Sequence, residues 1–213
     1  MPLKIYGLSL STCTRRVAVV CKEKGIPYEL ISVDLTKGDQ KAPSFTTHQP
    51  FGQVPYIDDD GFILYESRAI GRYLAKKYAD QGTPNLVPAE PKAEALFEQA
   101  VSIEISNFDP FASKIGFERV FKLFYGRQTD EARVAELATT LNAKLDGYEA
   151  ILGKQKYLAG DNLTLADLFH LPAGSTLLGP AGYAHLLEKR PNVARWWNDI
   201  SSRPAWLAVK DGA

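Results

Sequence analysis

The chain has 213 residues, 45% of them hydrophobic and 23% charged, enough to bury a real core as one large domain or two small ones. Its 25 basic residues balance 25 acidic ones, which excludes the basic surplus that a nucleic-acid binder needs. No apolar run approaches the ~20 residues of a membrane span, and the opening "MPLKIYGLSL" is too short and too uncharged for a secretory signal.

In chain order, "LKIY" (3–6) reads as a strand. Cys13, Val17, Val20 and Cys21 then recur at helical spacing on one face. The two cysteines would stand ~12 Å apart along that helix, too far for a disulfide, so a reduced, cytoplasmic protein is expected. "YELISV" (28–33) reads as a second strand, completing a β-α-β unit with a right-handed crossover. A polar loop, "DLTKGDQKAPSF", carries one short helical turn. "VPYIDDDGFILYES" reads as a hairpin around Asp-Asp-Gly, where Gly61 supplies a positive φ. "ESRAIGRYLAKKY" follows as a helix with Ile70, Tyr73, Leu74 and Tyr78 on one face. The order β-α-β then β-β-α is that of an α/β thioredoxin-like domain over 1–79.

"ADQGTPNLVPAEP" is rich in Gly, Pro and Asn and reads as a linker over 80–90. Beyond it the alternation typical of strands is lost, and 91–213 is expected to be an all-α C-terminal domain. Helical periodicity covers 90–125, 129–152, 164–178 and 191–203, the last beginning with Pro near its first position. Pro172 should kink or interrupt the third of these segments.

Several short stretches carry candidate chemistry. "GLSLSTCTRRVAVV" crowds Ser9, Ser11, Thr12, Cys13 and Thr14 ahead of an apolar helical face. Ser9 lies too early and Thr14 too deep, while Thr12 either caps the first turn or lends its amide. Ser11 precedes the helix and can turn its hydroxyl outward. Cys13 shares a face with Val17 and Cys21, which reads as a half-buried thiol, although a helix head with Arg15 and Arg16 beside it can activate one. In "QPFGQVPYID" a Val-Pro step enters a strand, where proline cannot donate to the ladder. An ordinary trans proline starting an edge strand is one reading, and a cis proline turning the preceding backbone toward a peptide-like ligand is the other. Glu66 and Ser67 stand where the third helix begins. There they serve either as caps or beside free amides that bind a carboxylate.

"STCTRRV", "KGDQKAPSF", "QPFGQVP" and "ESRAI", in this order, resemble the glutathione transferases, most closely the serine-using phi class of plants and fungi. "YLAGDNLTLADL" extends the resemblance through the helical domain. The resemblance implies glutathione as co-substrate, no permanently bound cofactor, and conjugation of small hydrophobic electrophiles by a homodimer. Ser11 would donate to the glutathione sulfur, with Thr12 in support. Val54 would pair its backbone with the cysteinyl part, ahead of a cis Pro55. Glu66 and Ser67 would hold the γ-glutamyl end, and Lys41 and Gln53 the glycyl end. Gln40 departs from the histidine often seen in phi sequences and removes one charge-assisted contact. A glutathione-dependent peroxidase side activity is compatible with the same site.

In "LTLAD", Thr164 and Asp167 are spaced as a capping box with Asp in place of Glu or Gln, a folding device. Phe108, Phe111, Phe117, Phe121, Phe124 and Tyr125 form an aromatic run that reads as core. Leu10, Phe117 and Phe121 are the candidate lining of a hydrophobic-substrate pocket completed by the helical domain. His48, His170 and His185 are scattered and no metal site is expected. The rival functions are a thiol oxidoreductase using Cys13 and a non-catalytic carrier of hydrophobic ligands. Neither nucleic acid nor a membrane is expected as a partner.

Overall fold

β1 (Leu3–Gly7) buries Leu3, Ile5 and Gly7 and half-buries Lys4 and Tyr6 between them, the alternation of a strand with one fully covered face. The computed structural model describes residues 2–213. β1 pairs in parallel with β2 (Tyr28–Ser32) and antiparallel with β3 (Tyr56–Asp59), and β3 pairs antiparallel with β4 (Phe62–Tyr65). The sheet order is β2-β1-β3-β4, as in a thioredoxin-like domain. Asp60 and Gly61, at φ 55° and 90°, make the tight turn of the hairpin, and Asp58 accepts the Gly61 N–H at 2.8 Å.

The β1–β2 crossover is α1 (Thr12–Glu23), with Val17, Val20 and Cys21 fully buried. The loop after β2 carries two turns where the sequence suggested one: a 3-10 turn at Asp39–Lys41 and α2 (Pro43–Thr46). α3 (Ser67–Lys77) packs against α1 and buries Ile70 and Leu74.

The boundary differs from the expected 80–90 linker and 91–213 domain. The first compact unit holds the residues up to Val87 together with Pro204–Ala213, and the second is Pro88–Arg203. Buried Lys24 explains the earlier stretch. Its ammonium donates to the carbonyls of Ala79 (3.3 Å) and Thr83 (2.9 Å), while Gln81 donates to the Lys24 carbonyl at 2.7 Å. The last residues return because Trp206 and Val209 bury themselves in the first unit.

The second unit is helical: α4 (Pro91–Asn107), α5 (Asp109–Gly116), a π-helical turn (Phe117–Phe121), α6 (Lys122–Phe124), α7 (Glu131–Leu152), α8 (Leu165–Leu168), α9 (Leu171–Leu178) and α10 (Pro191–Ser201). The segment expected as one helix over 90–125 breaks at Phe108, where Pro110 lacks the N–H that a continuing helix would require. Pro172 likewise sits in the first turn of α9, after a break from α8. Phe108 belongs to the core, with its ring 4.7 Å from that of His170. His170 is buried, its Nε2 3.0 Å from the Tyr148 hydroxyl and its Nδ1 2.7 Å from the Ala166 carbonyl.

Candidate functional site

Strand register gathers the candidate residues at one end of the sheet. β1 runs out through Tyr6 and Gly7 into the turn that carries Ser11. Tyr6 lies opposite Tyr56 at the start of β3, and Tyr56 lies opposite Tyr65 at the end of β4. Ser11, the Val54-Pro55 bond and Glu66 therefore leave the sheet at the same end.

Ser11 is the N-cap of α1, with φ −61° and ψ 132°. Its N–H donates to the Leu8 carbonyl at 2.9 Å, and its carbonyl accepts the Arg15 N–H at 2.9 Å. The hydroxyl accepts from the Thr14 N–H at 3.4 Å, a long bond. A serine hydroxyl has one proton and two lone pairs, so capping leaves the proton for another acceptor. The capping and functional readings of Ser11 are thus compatible. Thr12 opens the helix, half-buried, and Thr14 is fully buried against Gly7, where a Cβ would come within 2.5 Å of the threonine hydroxyl oxygen.

The two thiols differ. Cys21 is fully buried, and burial pushes its thiol up to about 12. Cys13 is half-buried, and its sulfur accepts from the Arg16 guanidinium at 3.3 Å. The same guanidinium nitrogen donates to the Ser67 hydroxyl at 3.0 Å, tying the head of α1 to the head of α3. Sequence reasoning missed this role of Arg16, whose only signal was the Arg-Arg pair in an otherwise apolar face.

The Val54-Pro55 peptide is cis, and Val54 is half-buried just ahead of the ladder that begins at Tyr56. Exposed Gln53 is held through its N–H by the buried Gln49 side chain at 3.1 Å. Lys41 donates to the Phe51 carbonyl at 3.0 Å. Gly52, at φ 59°, lets the loops meet: a Cβ there would lie 2.7 Å from the Lys41 side chain and 2.8 Å from the Gln40 carbonyl. Gln40, Lys41 and Gln53 are in this way brought together. The Gln40 side-chain oxygen is buried and has no hydrogen-bond partner among the described residues.

Glu66 adopts φ 71° and ψ 104°, a strained left-handed conformation for a residue with a Cβ. No side chain caps α3, and neither α1 nor α3 carries an acidic residue in its first turn. The head of α1 keeps the positive end of its helix dipole available to an anion, while the N-cap of α3 is itself the acidic Glu66.

Among the apolar candidates, Leu10 is 51% exposed beside Ser11 in the first unit. Phe117 is 42% exposed and Phe121 half-buried, at the two ends of the π-helical turn of the second unit. Phe124 and Tyr125, read from sequence as core, are exposed.

Comparison with known proteins adds an independent line. Residues 10–77 match the family profile described as glutathione S-transferase, N-terminal domain, and residues 108–204 match the corresponding C-terminal domain. The chain is 48% identical over 199 residues to glutathione S-transferase PM239X14 of Arabidopsis thaliana, covering 92% of this chain and 89% of the relative. The crystal structure of glutathione transferase F2 from Populus trichocarpa is 40% identical, with TM-score 0.95 over 99% of this chain and 98% of that one. A maize glutathione S-transferase I in complex with an atrazine glutathione conjugate is 33% identical, with TM-score 0.91 over 99% and 97% of the two chains.

Proposed function

The chain belongs to the glutathione S-transferase family, in its phi class, and from that premise we propose that its Ser11 hydroxyl stabilises the glutathione thiolate for attack on a small apolar electrophile. The observation that carries the proposal is the uncommitted proton of Ser11 at a helix head with no acidic residue in its first turn. A free thiol titrates near ~8.5, and making it mostly thiolate at pH 7 takes roughly 2 units, or ~2.7 kcal/mol. A helix head contributes ~0.3–1 kcal/mol, up to ~2 when partly buried. A hydrogen bond to a charged acceptor contributes ~1.5–3 kcal/mol. Together they suffice where neither does comfortably alone.

Around the thiolate, the Val54 backbone ahead of cis Pro55 pairs with the cysteinyl part of glutathione. Glu66 and Ser67 hold the γ-glutamyl end. Ser67 already accepts from Arg16, so its own proton is the one offered to the ligand carboxylate. Lys41, Gln40 and Gln53 receive the glycyl end, and the Thr12 amide supports the sulfur. With its proton released to solvent, the thiolate attacks the electrophilic carbon over exposed Leu10. The C–S bond forms as the leaving group departs with its electron pair, or as the neighbouring carbon takes a proton in an addition. Catalysis is thiolate stabilisation plus proximity. A peroxidase side reaction would draw on the same thiolate. The reading includes a cytoplasmic homodimer with no resident cofactor. No helix among the described residues is long and apolar enough to cross a membrane.

The test is Ser11→Ala, assayed with a panel of model electrophiles at about pH 6.5. Conjugation should fall at least tenfold, ~1.4 kcal/mol of transition-state stabilisation, and the pKa of bound glutathione should rise. Conjugation and bound pKa both equal to those of the native chain would overturn the assignment of Ser11.

A further inference from the structure

We propose that the segment Pro204–Ala213 fixes the position of the Ser11 hydroxyl, with Arg15 and Ser9 as positioning residues. The inference rests on the assignment of Ser11 made above. The hydroxyl's own tie, to the Thr14 N–H at 3.4 Å, is too long to fix its direction. A donor misplaced by ~1 Å can cost ~10²-fold in rate, so the placement has to come from the backbone around it.

That backbone is bracketed by the end of the chain. On one side the anchor is the Ala213 N–H, which donates to the Ser9 carbonyl at 3.1 Å; the Ser9 hydroxyl adds only a long contact to the Ala213 oxygen at 3.4 Å. Gly212 permits the approach, since a Cβ there would stand 2.7 Å from the Ser9 hydroxyl oxygen. On the other side, the Arg15 guanidinium donates to the Lys210 carbonyl at 2.6 Å and lies 5.8 Å from the centre of the Trp206 ring. Arg15 is only 7% exposed, so this charge-assisted bond is shielded from water. Its backbone N–H is also the donor that closes the first turn of α1 onto the Ser11 carbonyl. Ser11 thus stands between two anchors, one ahead of it at Ser9 and one behind it at Arg15. The strap itself is seated by Trp206 and Val209, which are 2% and 1% exposed.

Three variants test this: Arg15→Met, a deletion of residues 210–213 that keeps Trp206 and Val209, and Arg15→Lys. Each is measured for the pKa of bound glutathione by thiolate absorbance, and for kcat and the KM of glutathione separately. Arg15→Met and the deletion should raise the bound pKa by about one unit and lower kcat near pH 6.5 roughly tenfold. The KM of glutathione should stay within about twofold, because the strap touches none of the residues assigned to the tripeptide's ends. Arg15→Lys, which keeps a cationic donor for the Lys210 carbonyl, should recover most of the loss. An unchanged bound pKa in the folded deletion overturns the inference, as does a loss confined to KM. A deletion that cannot fold also counts against it, because a positioning strap is dispensable to the fold. Ser11→Ala run alongside separates the two claims. If it raises the bound pKa and the strap variants do not, only the strap fails; if it leaves the pKa unchanged, the assignment of Ser11 itself fails.

Discussion

The heads of α1 and α8 look alike in sequence, each a hydroxyl residue followed by a helical turn, yet they are built to opposite ends. At α8 the Asp167 carboxylate is fully buried and accepts from the Leu158 N–H (3.0 Å), the Trp196 indole (2.9 Å), the Thr164 N–H (2.9 Å) and the Thr164 hydroxyl (3.1 Å). The Thr164 proton and both carboxylate oxygens are committed. At α1 the half-buried Ser11 accepts one long bond and has no acidic residue in the turn behind it. A saturated head is a device of the fold. A head with a proton to spare, and no acidic residue in its first turn, is available to a ligand's sulfur. What separates them is the fourth residue of each turn: Asp167 at α8, Thr14 at α1.

The largest expected effect breaks the saturated head. Asp167→Ala leaves buried donors on Leu158, Thr164 and Trp196 without an acceptor, each worth about 1–3 kcal/mol, so stability should fall by at least about 3 kcal/mol. Denaturant unfolding measures the loss, and conjugation per folded molecule should be unchanged. A stable Asp167→Ala protein with lost turnover would reverse the roles of the two heads. The next effect breaks the open head. Ser11→Ala should cost less than about 1 kcal/mol of stability, below the usual loss for a cap because the bond to Thr14 is so long, while conjugation falls tenfold or more. A Ser11→Ala protein that loses much more stability than this would show the hydroxyl to be a structural cap after all.

Much of this was legible locally. The β-α-β run, the Asp-Asp-Gly hairpin and the Thr164 and Asp167 pair are signals of a few adjacent residues, and the fold carries each where its pattern points. The Val-Pro step by itself left cis and trans open, and only the family resemblance implied the cis form. The end of the chain was not legible. "PAWLAVKDGA" has too few turns to show a period, and the partners that hold it, Ser9 and Arg15, stand about 200 positions away. The burial of Arg16 was hidden for the same reason: its partner, Ser67, lies 51 residues on. Lys24 was not singled out by any local signal either, since lysines are mostly exposed, whereas here it holds 79–83 to the first unit.

A third helix head sharpens the comparison through pH. α10 has no capping side chain of its own, and Glu149 reaches it from α7, accepting from the Asn192 N–H (3.1 Å), the Asn192 amide (2.6 Å) and the Val193 N–H (3.0 Å). Burial pushes this carboxyl up, but the bonds from Val193 and Asn192 outweigh it and hold it below its ordinary range. A carboxyl depressed on folding contributes stability that is present above its unfolded value, near ~4.3, and lost as pH falls through the folded value. Glu149→Gln keeps an acceptor and removes the titration. Its stability should therefore lie below that of the native chain at neutral pH, with the difference closing as pH falls through that window. A difference that stays constant down to acid pH would show that the charge of Glu149 plays no part in capping α10.

The smallest expected effect decides between the two groups at the head of α1. Cys13 sits in the first turn with its sulfur 3.3 Å from the Arg16 guanidinium, and a mixed disulfide with glutathione is the rival chemistry at this position. Geometry argues for a quieter role. The same guanidinium nitrogen donates to Ser67, so its charge is shared with the head of α3, and Cys13 is half-buried inside the helix whereas Ser11 stands ahead of it. Cys13→Ser replaces one small acceptor by another and preserves a partner for Arg16. Conjugation should stay within about threefold, below ~0.7 kcal/mol, and thiol-disulfide exchange with glutathione should remain at background. If Cys13→Ser abolishes activity while Ser11→Ala spares it, the chemistry belongs to the thiol, and the open head of α1 serves an oxidoreductase instead of a transferase.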